Sequence, residues 1–149
     1  MSARIVVFGA MGHALVGAAL AARARAVFTD GDAIRPAVVP GISMREMRLR
    51  GVISALGAPD AVVGIERVSR PERDWLRSAV PSIVFVQLVP MPGEQPAPRR
   101  RRRCQRIEPD ESPIDALLSD ERGVRIADDA GLDQVVARIV AALESQSLR

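Results

Sequence analysis

The sequence has no lysine, and it has one histidine and one cysteine among its 149 residues. Since all 21 basic residues are arginines, any mechanism that requires a lysine is excluded. One cysteine excludes an internal disulfide, and one histidine with one cysteine cannot form a structural zinc cluster. No residue is therefore predicted as a metal ligand, and any metal ion would be Mg²⁺ held with a substrate phosphate.

Long apolar runs and aromatic residues are also scarce. No apolar run reaches the roughly 20 residues of a membrane span, and the first residues lack the layout of a secretory signal. We therefore expect a cytoplasmic protein with no membrane partner. Aromatic residues make up 3% of the sequence, which predicts a core of Val, Ile, Leu and Ala and favours parallel strands buried on both faces. The length predicts a single domain over residues 1–149.

Strand-like and helix-like segments alternate along the chain. Short runs rich in β-branched residues, bounded by Gly, Pro or Asp, predict strands at 4–9, 26–30, 60–65, 82–88 and 123–128. Helices are predicted at 12–25, 44–56 and 70–79, with a C-terminal helix whose apolar stripe runs from residue 132 to 143. This alternation predicts a three-layer α/β fold with a five-stranded parallel sheet flanked by helices.

One segment, residues 89–106, interrupts this alternation. It has four prolines in its first ten residues and five consecutive arginines from Arg99 to Arg103. Proline at this density excludes a helix or a central strand, so we predict an exposed loop. The arginines fit either a solvated loop or a phosphate-facing patch. They do not favour a nucleic-acid partner, because no aromatic residues are interleaved to stack on bases.

The stretch GAMGHALVG, residues 9–17, follows the first predicted strand and opens an Ala-rich helix. A nucleotide-binding βα unit begins this way, because backbone N–H groups and the helix N-terminus there can surround a phosphate. Gly9, Gly12 and His13 are the candidate nucleotide-binding residues. A Rossmann-type dinucleotide site is disfavoured, because Leu15 stands where that fingerprint requires its last glycine.

Several other segments resemble motifs of one enzyme family, and they occur along the chain in the same order as in that family. FTDGDAIRP resembles a DGD segment after the second strand, GISM resembles a GIPL motif, and SRPERDWLRSAVPSIVFVQL and RIEPDES resemble later helix and loop motifs. Together with the glycine-rich turn, these matches cover nearly the whole chain. They resemble the small gluconokinases, which are P-loop sugar-acid kinases related in fold to shikimate and adenylate kinases.

The resemblance implies a P-loop kinase-like fold, ATP with Mg²⁺ as cofactor, gluconate as substrate and 6-phosphogluconate as product. It implies Asp32 as the base that contacts the sugar-acid hydroxyl, and Arg48 or Arg50 and Arg73 as substrate-binding residues. It also allows a homodimer. Each residue has a structural alternative, namely a turn formed with Asp30 for Asp32 and a surface position for the arginines.

The sequence differs from the family at the segments that carry out phosphate transfer. Its phosphate loop reads G-x-x-G-x-G-K-S/T, whereas the segment GHALV here is about two residues shorter and lacks both the lysine and the hydroxyl. Residues 89–106 stand in place of the family's lid. Two functions therefore remain open: a gluconokinase-like phosphotransferase, or an inactive pseudokinase that binds a sugar acid, a phosphate or a protein.

Overall fold

The structure, a computed structural model, describes residues 3–9, 12–90 and 116–147. Most of the predicted loop 89–106, including Arg99–Arg103, lies outside these ranges, as does the RIEPDES segment. The described elements follow in the order β1 (Arg4–Gly9), α1 (His13–Ala24), β2 (Val27–Asp30), a 3₁₀ turn (Gly31–Ala33), α2 (Met44–Ala55), β3 (Ala61–Ile65), α3 (Arg70–Ala79), β4 (Ile83–Val89), β5 (Gly123–Ala127) and α4 (Leu132–Ser147).

The five strands form one sheet in the order β2-β3-β1-β4-β5, and every pair is parallel. β1 lies at the centre, where Val7 is paired with Gly64 on one side and Val86 on the other. The predicted parallel α/β fold is confirmed. The carboxyl ends of all five strands meet at one edge of the sheet, where open α/β sheets bind their ligands.

Helices cover both faces of the sheet, because alternate strand residues point to opposite sides. On one face α2 and α3 pack against a cluster that includes Val6, Phe8, Val63 and Phe85. On the other face α1 and α4 pack against Ile5, Val7, Val62, Val86 and Ile126. No helix in the described ranges combines the length and the apolar character needed to cross a bilayer.

A buried ion pair joins α3 to the segment that precedes β5. Arg73 donates through Nε and Nη2 to the two carboxylate oxygens of Glu121, each at 2.8 Å, and both side chains are fully buried. Its Nη1 donates to the Val68 carbonyl at 2.9 Å, and the guanidinium lies 5.4 Å from the ring centroid of Phe8. The pair therefore fixes α3 against the central strand.

The ion pair also determines the protonation state of Glu121. Burial raises the pKa of this carboxyl. The hydrogen bonds from Arg73 and the Leu118 N–H, together with the charges of Arg73 and Arg77, lower it by more, so that the net pKa is about 2. The ionised form is therefore strongly favoured in the folded protein.

We expect this carboxylate to make the stability of the fold acid-sensitive. Its pKa falls from an ordinary 4.5 to about 2 on folding, so its contribution is present above about pH 4.5 and is lost as the pH falls through 2. The shift corresponds to about 3 kcal/mol. In the Glu121→Gln variant the free energy of unfolding near pH 7 should fall by a similar amount, because Arg73 is left buried without its counter-ion. Urea denaturation followed by far-UV circular dichroism measures both effects.

Asp120→Asn is the matched control. Asp120 is the adjacent residue and also pairs with an arginine, Arg70, but its side chain is 64% exposed. The substitution should lower the free energy of unfolding by less than about 1 kcal/mol and leave its decrease at low pH unchanged. Equal losses in the two variants would show that the buried pair has no special role.

Candidate functional site

Gly9 ends β1 and begins the glycine-rich loop. Its φ is +123°, and a Cβ at this position would lie 2.3 Å from the carbonyl oxygen of Leu88 on β4. Only glycine fits both conditions. The Gly9 N–H donates to the Glu66 carbonyl at 3.2 Å, so this amide is occupied within the fold and is not available to a phosphate.

Gly12 and His13 form the start of α1. Gly12 has a φ of +110° and no side chain caps the helix, so amides of the first turn are left without a capping partner. A Cβ on Gly12 would lie 3.2 Å from Oδ2 of Asp128, which follows β5. A carboxylate therefore lies beside the position where a phosphate loop holds its anion, and like charges repel.

His13 and Asp32 are in direct contact. His13 Nε2 lies 2.9 Å from Asp32 Oδ2, and the two side chains are 16% and 36% exposed. His13 Nδ1 is buried and has no hydrogen-bond partner among the described residues. Because a carboxylate can only accept, Nε2 carries a proton in this contact. The structure thus joins the first turn of α1 to the residue predicted as the catalytic base.

Asp32 is held at the carboxyl ends of β2 and β3. Its Oδ2 also accepts the Glu66 N–H at 2.9 Å, and its own N–H donates to Asp30 Oδ1 at 3.0 Å. Asp30 therefore makes the turn that the sequence allowed, while the Asp32 carboxylate is anchored separately. Oδ1 of Asp32 accepts no hydrogen bond from the described residues, so one oxygen of a fixed, partly exposed carboxylate is open to a ligand hydroxyl.

One arginine, Arg35, supplies a cation at this edge, and a second, Arg48, lies on the helix that follows. Arg35 Nη1 donates to the Asp32 carbonyl at 2.9 Å. Arg48, on α2, is half-buried, and its Nε is buried without a hydrogen-bond partner in the described part of the chain. Arg50 instead pairs with Glu46 at 2.7 Å. Of the two alternatives left by the sequence, Arg48 is therefore the one without an ion pair among the described residues.

The sequence suggested either a substrate-binding position or a surface position for Arg73, and the structure places it at neither. It is neither on the surface nor open to a ligand, because it is fully buried in its contacts with Glu121, Val68 and Phe8. A guanidinium whose donors serve buried acceptors cannot reach a substrate without breaking them. We therefore leave Arg73 out of the site.

Sequence reasoning missed three parts of this site: the Glu66 N–H, Arg35 and Asp128. Asp128 could have been found, because it ends a predicted strand and so had to lie at the carboxyl edge of a parallel sheet. Arg35 and the Glu66 amide depend on the turns after β2 and β3, which show no comparable pattern.

The described residues do not fit a complex of ATP with Mg²⁺. In such a complex the phosphates and waters supply most of the Mg²⁺ ligands, and the phosphate loop supplies a lysine and a hydroxyl. The described loop residues supply neither of these two groups, and the Asp128 carboxylate lies near Gly12.

Replacing Gly9 with alanine should destabilise the protein by at least about 3 kcal/mol, because the new Cβ meets the Leu88 carbonyl and forces a residue with a side chain into positive φ. Gly131→Ala is the control, since a Cβ there has nothing within 4 Å and the cost should stay below about 1 kcal/mol. Thermal and urea unfolding of the two variants provide the comparison. Similar losses would contradict the close approach of β1 and β4.

The contact between His13 and Asp32 predicts one tautomer of the only imidazole in the chain. At about pH 9, where a typical imidazole is neutral, ¹⁵N spectra should show the proton on Nε2. Asp32→Ala should lower the Nε2–H fraction toward that of a free imidazole, which also favours Nε2–H but less completely, whereas Asp133→Ala, at an exposed position on α4, should leave it unchanged. A dominant Nδ1–H form in the unmodified protein would mean that the contact is absent in solution.

Two solved structures share this fold over nearly the whole chain. A gluconokinase from Sinorhizobium meliloti 1021 superposes with a TM-score of 0.68 at 23% identity, covering 98% of this chain and 98% of that chain. A sugar kinase from Janibacter sp. HTCC2649, solved without ligand, gives a TM-score of 0.69 at 22% identity, with 97% and 95% covered. No protein-family model and no curated protein matches the sequence. The chain therefore has the P-loop kinase-like α/β fold of these sugar kinases.

Proposed function

We propose that the chain binds a sugar acid at the carboxyl edge of its sheet and that its phosphotransfer is lost or very slow. The observation that carries this proposal is the Asp32 carboxylate. One of its oxygens is held by His13 and the Glu66 N–H, each at 2.9 Å, and the other is open. A carboxylate fixed in this way is prepared to accept a hydroxyl without reorganising.

The charges around Asp32 suit a ligand that carries both hydroxyls and a carboxylate. Arg35 reaches the Asp32 carbonyl, and Arg48 has a buried Nε without a partner among the described residues. Guanidinium groups bind carboxylates through charge-assisted hydrogen bonds. We assign the hydroxyl to Asp32 and the carboxylate of the sugar acid to Arg48, with Arg35 as a neighbouring cation.

Rapid phosphotransfer is disfavoured by the loop. Loss of one electrostatic donor at such a site typically costs about 3–4 kcal/mol, or roughly 10²–10³ in rate. Here the lysine and the hydroxyl are both missing, and the carboxylate of Asp128 lies beside Gly12. A binding protein built on a kinase fold accounts for a well-anchored Asp32 together with a loop unsuited to triphosphate.

A second candidate is a slow gluconokinase reaction. It is favoured by the open Oδ1 of Asp32, whose side chain is 36% exposed and could take the proton of a ligand hydroxyl. The fold shared with a named gluconokinase supports the same choice. The two candidates agree on the ligand class and differ only in turnover.

Gluconate should bind to the full chain with a measurable heat in isothermal titration calorimetry. Asp32→Ala should weaken binding by roughly 10–100-fold, because it removes a hydrogen bond from a charged acceptor. Arg48→Gln should weaken it similarly and also reduce discrimination against neutral glucose. Arg50→Gln is the matched control, since Arg50 is already paired with Glu46. Equal binding of gluconate by all four proteins, or no binding, would contradict the assignment.

A coupled assay of ADP release with gluconate, ATP and Mg²⁺ separates the two candidates. Release that is equal in the unmodified protein and in Asp32→Asn supports the binding protein. Release that is saturable with gluconate and absent in Asp32→Asn supports the slow kinase.

A further inference from the structure

A polar cavity lies at the amino edge of the sheet, whereas Asp32 lies at the carboxyl edge. It has a volume of about 170 Å³ and is bordered by the first residues of β1 and β4, the residue before β5 and the end of α4. Its polar lining consists of Arg4, Ser82, Arg122, Gln146 and Ser147. Neither the sequence motifs nor the proposed sugar-acid site accounts for this cluster.

The lining has two positive charges and no carboxylate. Arg4 donates from Nη1 to the Ser82 hydroxyl at 2.9 Å, but its Nε is buried and has no hydrogen-bond partner in the described ranges. Arg122, which is exposed, makes no ion pair with any described residue. Two guanidinium groups therefore border one small cavity without a counter-ion from residues 3–9, 12–90 or 116–147.

The end of α4 compensates only part of this charge. A helix C-terminus is equivalent to about half a negative charge, whereas the arginines bring two full positive charges. Arg4 is only partly buried and Arg122 is exposed, and an anion between the two guanidinium groups would accept charge-assisted hydrogen bonds that no described carboxylate accepts there. The electrostatics of the cavity therefore point to an anionic ligand.

Size limits the ligand to a small one. Sites for drug-sized molecules typically occupy about 300–1,000 Å³, and 170 Å³ corresponds to the liquid volume of only about five or six waters. The cavity therefore favours a ligand smaller than a nucleotide. The Ser82 hydroxyl accepts from Arg4, so its proton is free to donate to an oxygen of the ligand.

We propose that Arg4, Arg122 and Ser82 form a binding site for a small oxyanion, with inorganic phosphate as the ligand that fits best. The three side chains that would donate hydrogen bonds to the oxyanion come from the amino ends of β1 and β4 and from the residue before β5. The site is separate from Asp32 and does not depend on sugar-acid binding.

A ³¹P NMR titration of inorganic phosphate with the full chain, at constant ionic strength, tests this site. We expect saturable binding that is weakened about tenfold or more by Arg122→Gln and by Arg4→Gln. Arg125→Gln is the matched control, because Arg125 is an exposed arginine on β5 outside the cavity lining. Asp32→Ala should also bind phosphate normally, which separates this site from the proposed sugar-acid site.

The outcomes distinguish a built site from general attraction to a basic protein. Binding that is not saturable, or that Arg125→Gln weakens as much as Arg122→Gln, would overturn the proposal. So would unchanged binding in Arg122→Gln, which should fold normally because Arg122 is exposed, as circular dichroism can verify. Displacement of phosphate by equimolar acetate would assign the site to oxyanions in general, and resistance to acetate would assign it to phosphate.

Discussion

The close approach of β1 to β4 at Gly9 is the constraint on which the candidate site depends. A Cβ at residue 9 would lie 2.3 Å from the Leu88 carbonyl, so the chain must leave the sheet here through a glycine. The chain then begins α1 at His13. His13 then reaches Asp32 at 2.9 Å, and Glu66 N–H reaches the same oxygen from β3. One carboxylate therefore links the carboxyl ends of three neighbouring strands.

The buried pair of Arg73 and Glu121 positions the opposite half of the sheet. It holds α3 over Phe8 of β1 and fixes the segment that leads into β5, where Leu118 N–H also donates to Glu121. Such a pair contributes little net stability relative to apolar packing, but loss of one partner is costly. The same desolvation that makes Arg73 structural prevents it from acting as a substrate ligand.

The fold could be predicted from the sequence to within a residue or two at most element ends, because buried parallel strands and amphipathic helices have strong periodic patterns. β1 and α3 match their predicted bounds, and Asp32 lies at the predicted carboxyl end of β2. The partners of side chains could not be predicted in this way. Glu121 lies 48 residues from Arg73, and no local pattern indicates that an arginine on an amphipathic helix will be buried beside it.

Charge placement at the start of α1 bears on which ligands this edge of the sheet can accept. The start of α1 has no side-chain cap, and in a working loop the anion of the nucleotide would interact with this positive helix end. Here the carboxylate of Asp128 lies near Gly12, so the chain places an acidic side chain of its own close to this helix end. A carboxylate near a helix N-terminus is favourable, and it would repel a second anion such as a triphosphate. Asp32 is held through Oδ2 by different partners, His13 and the Glu66 N–H, and its Oδ1 accepts no hydrogen bond from the described residues, so the contacts that position this carboxylate do not involve Asp128.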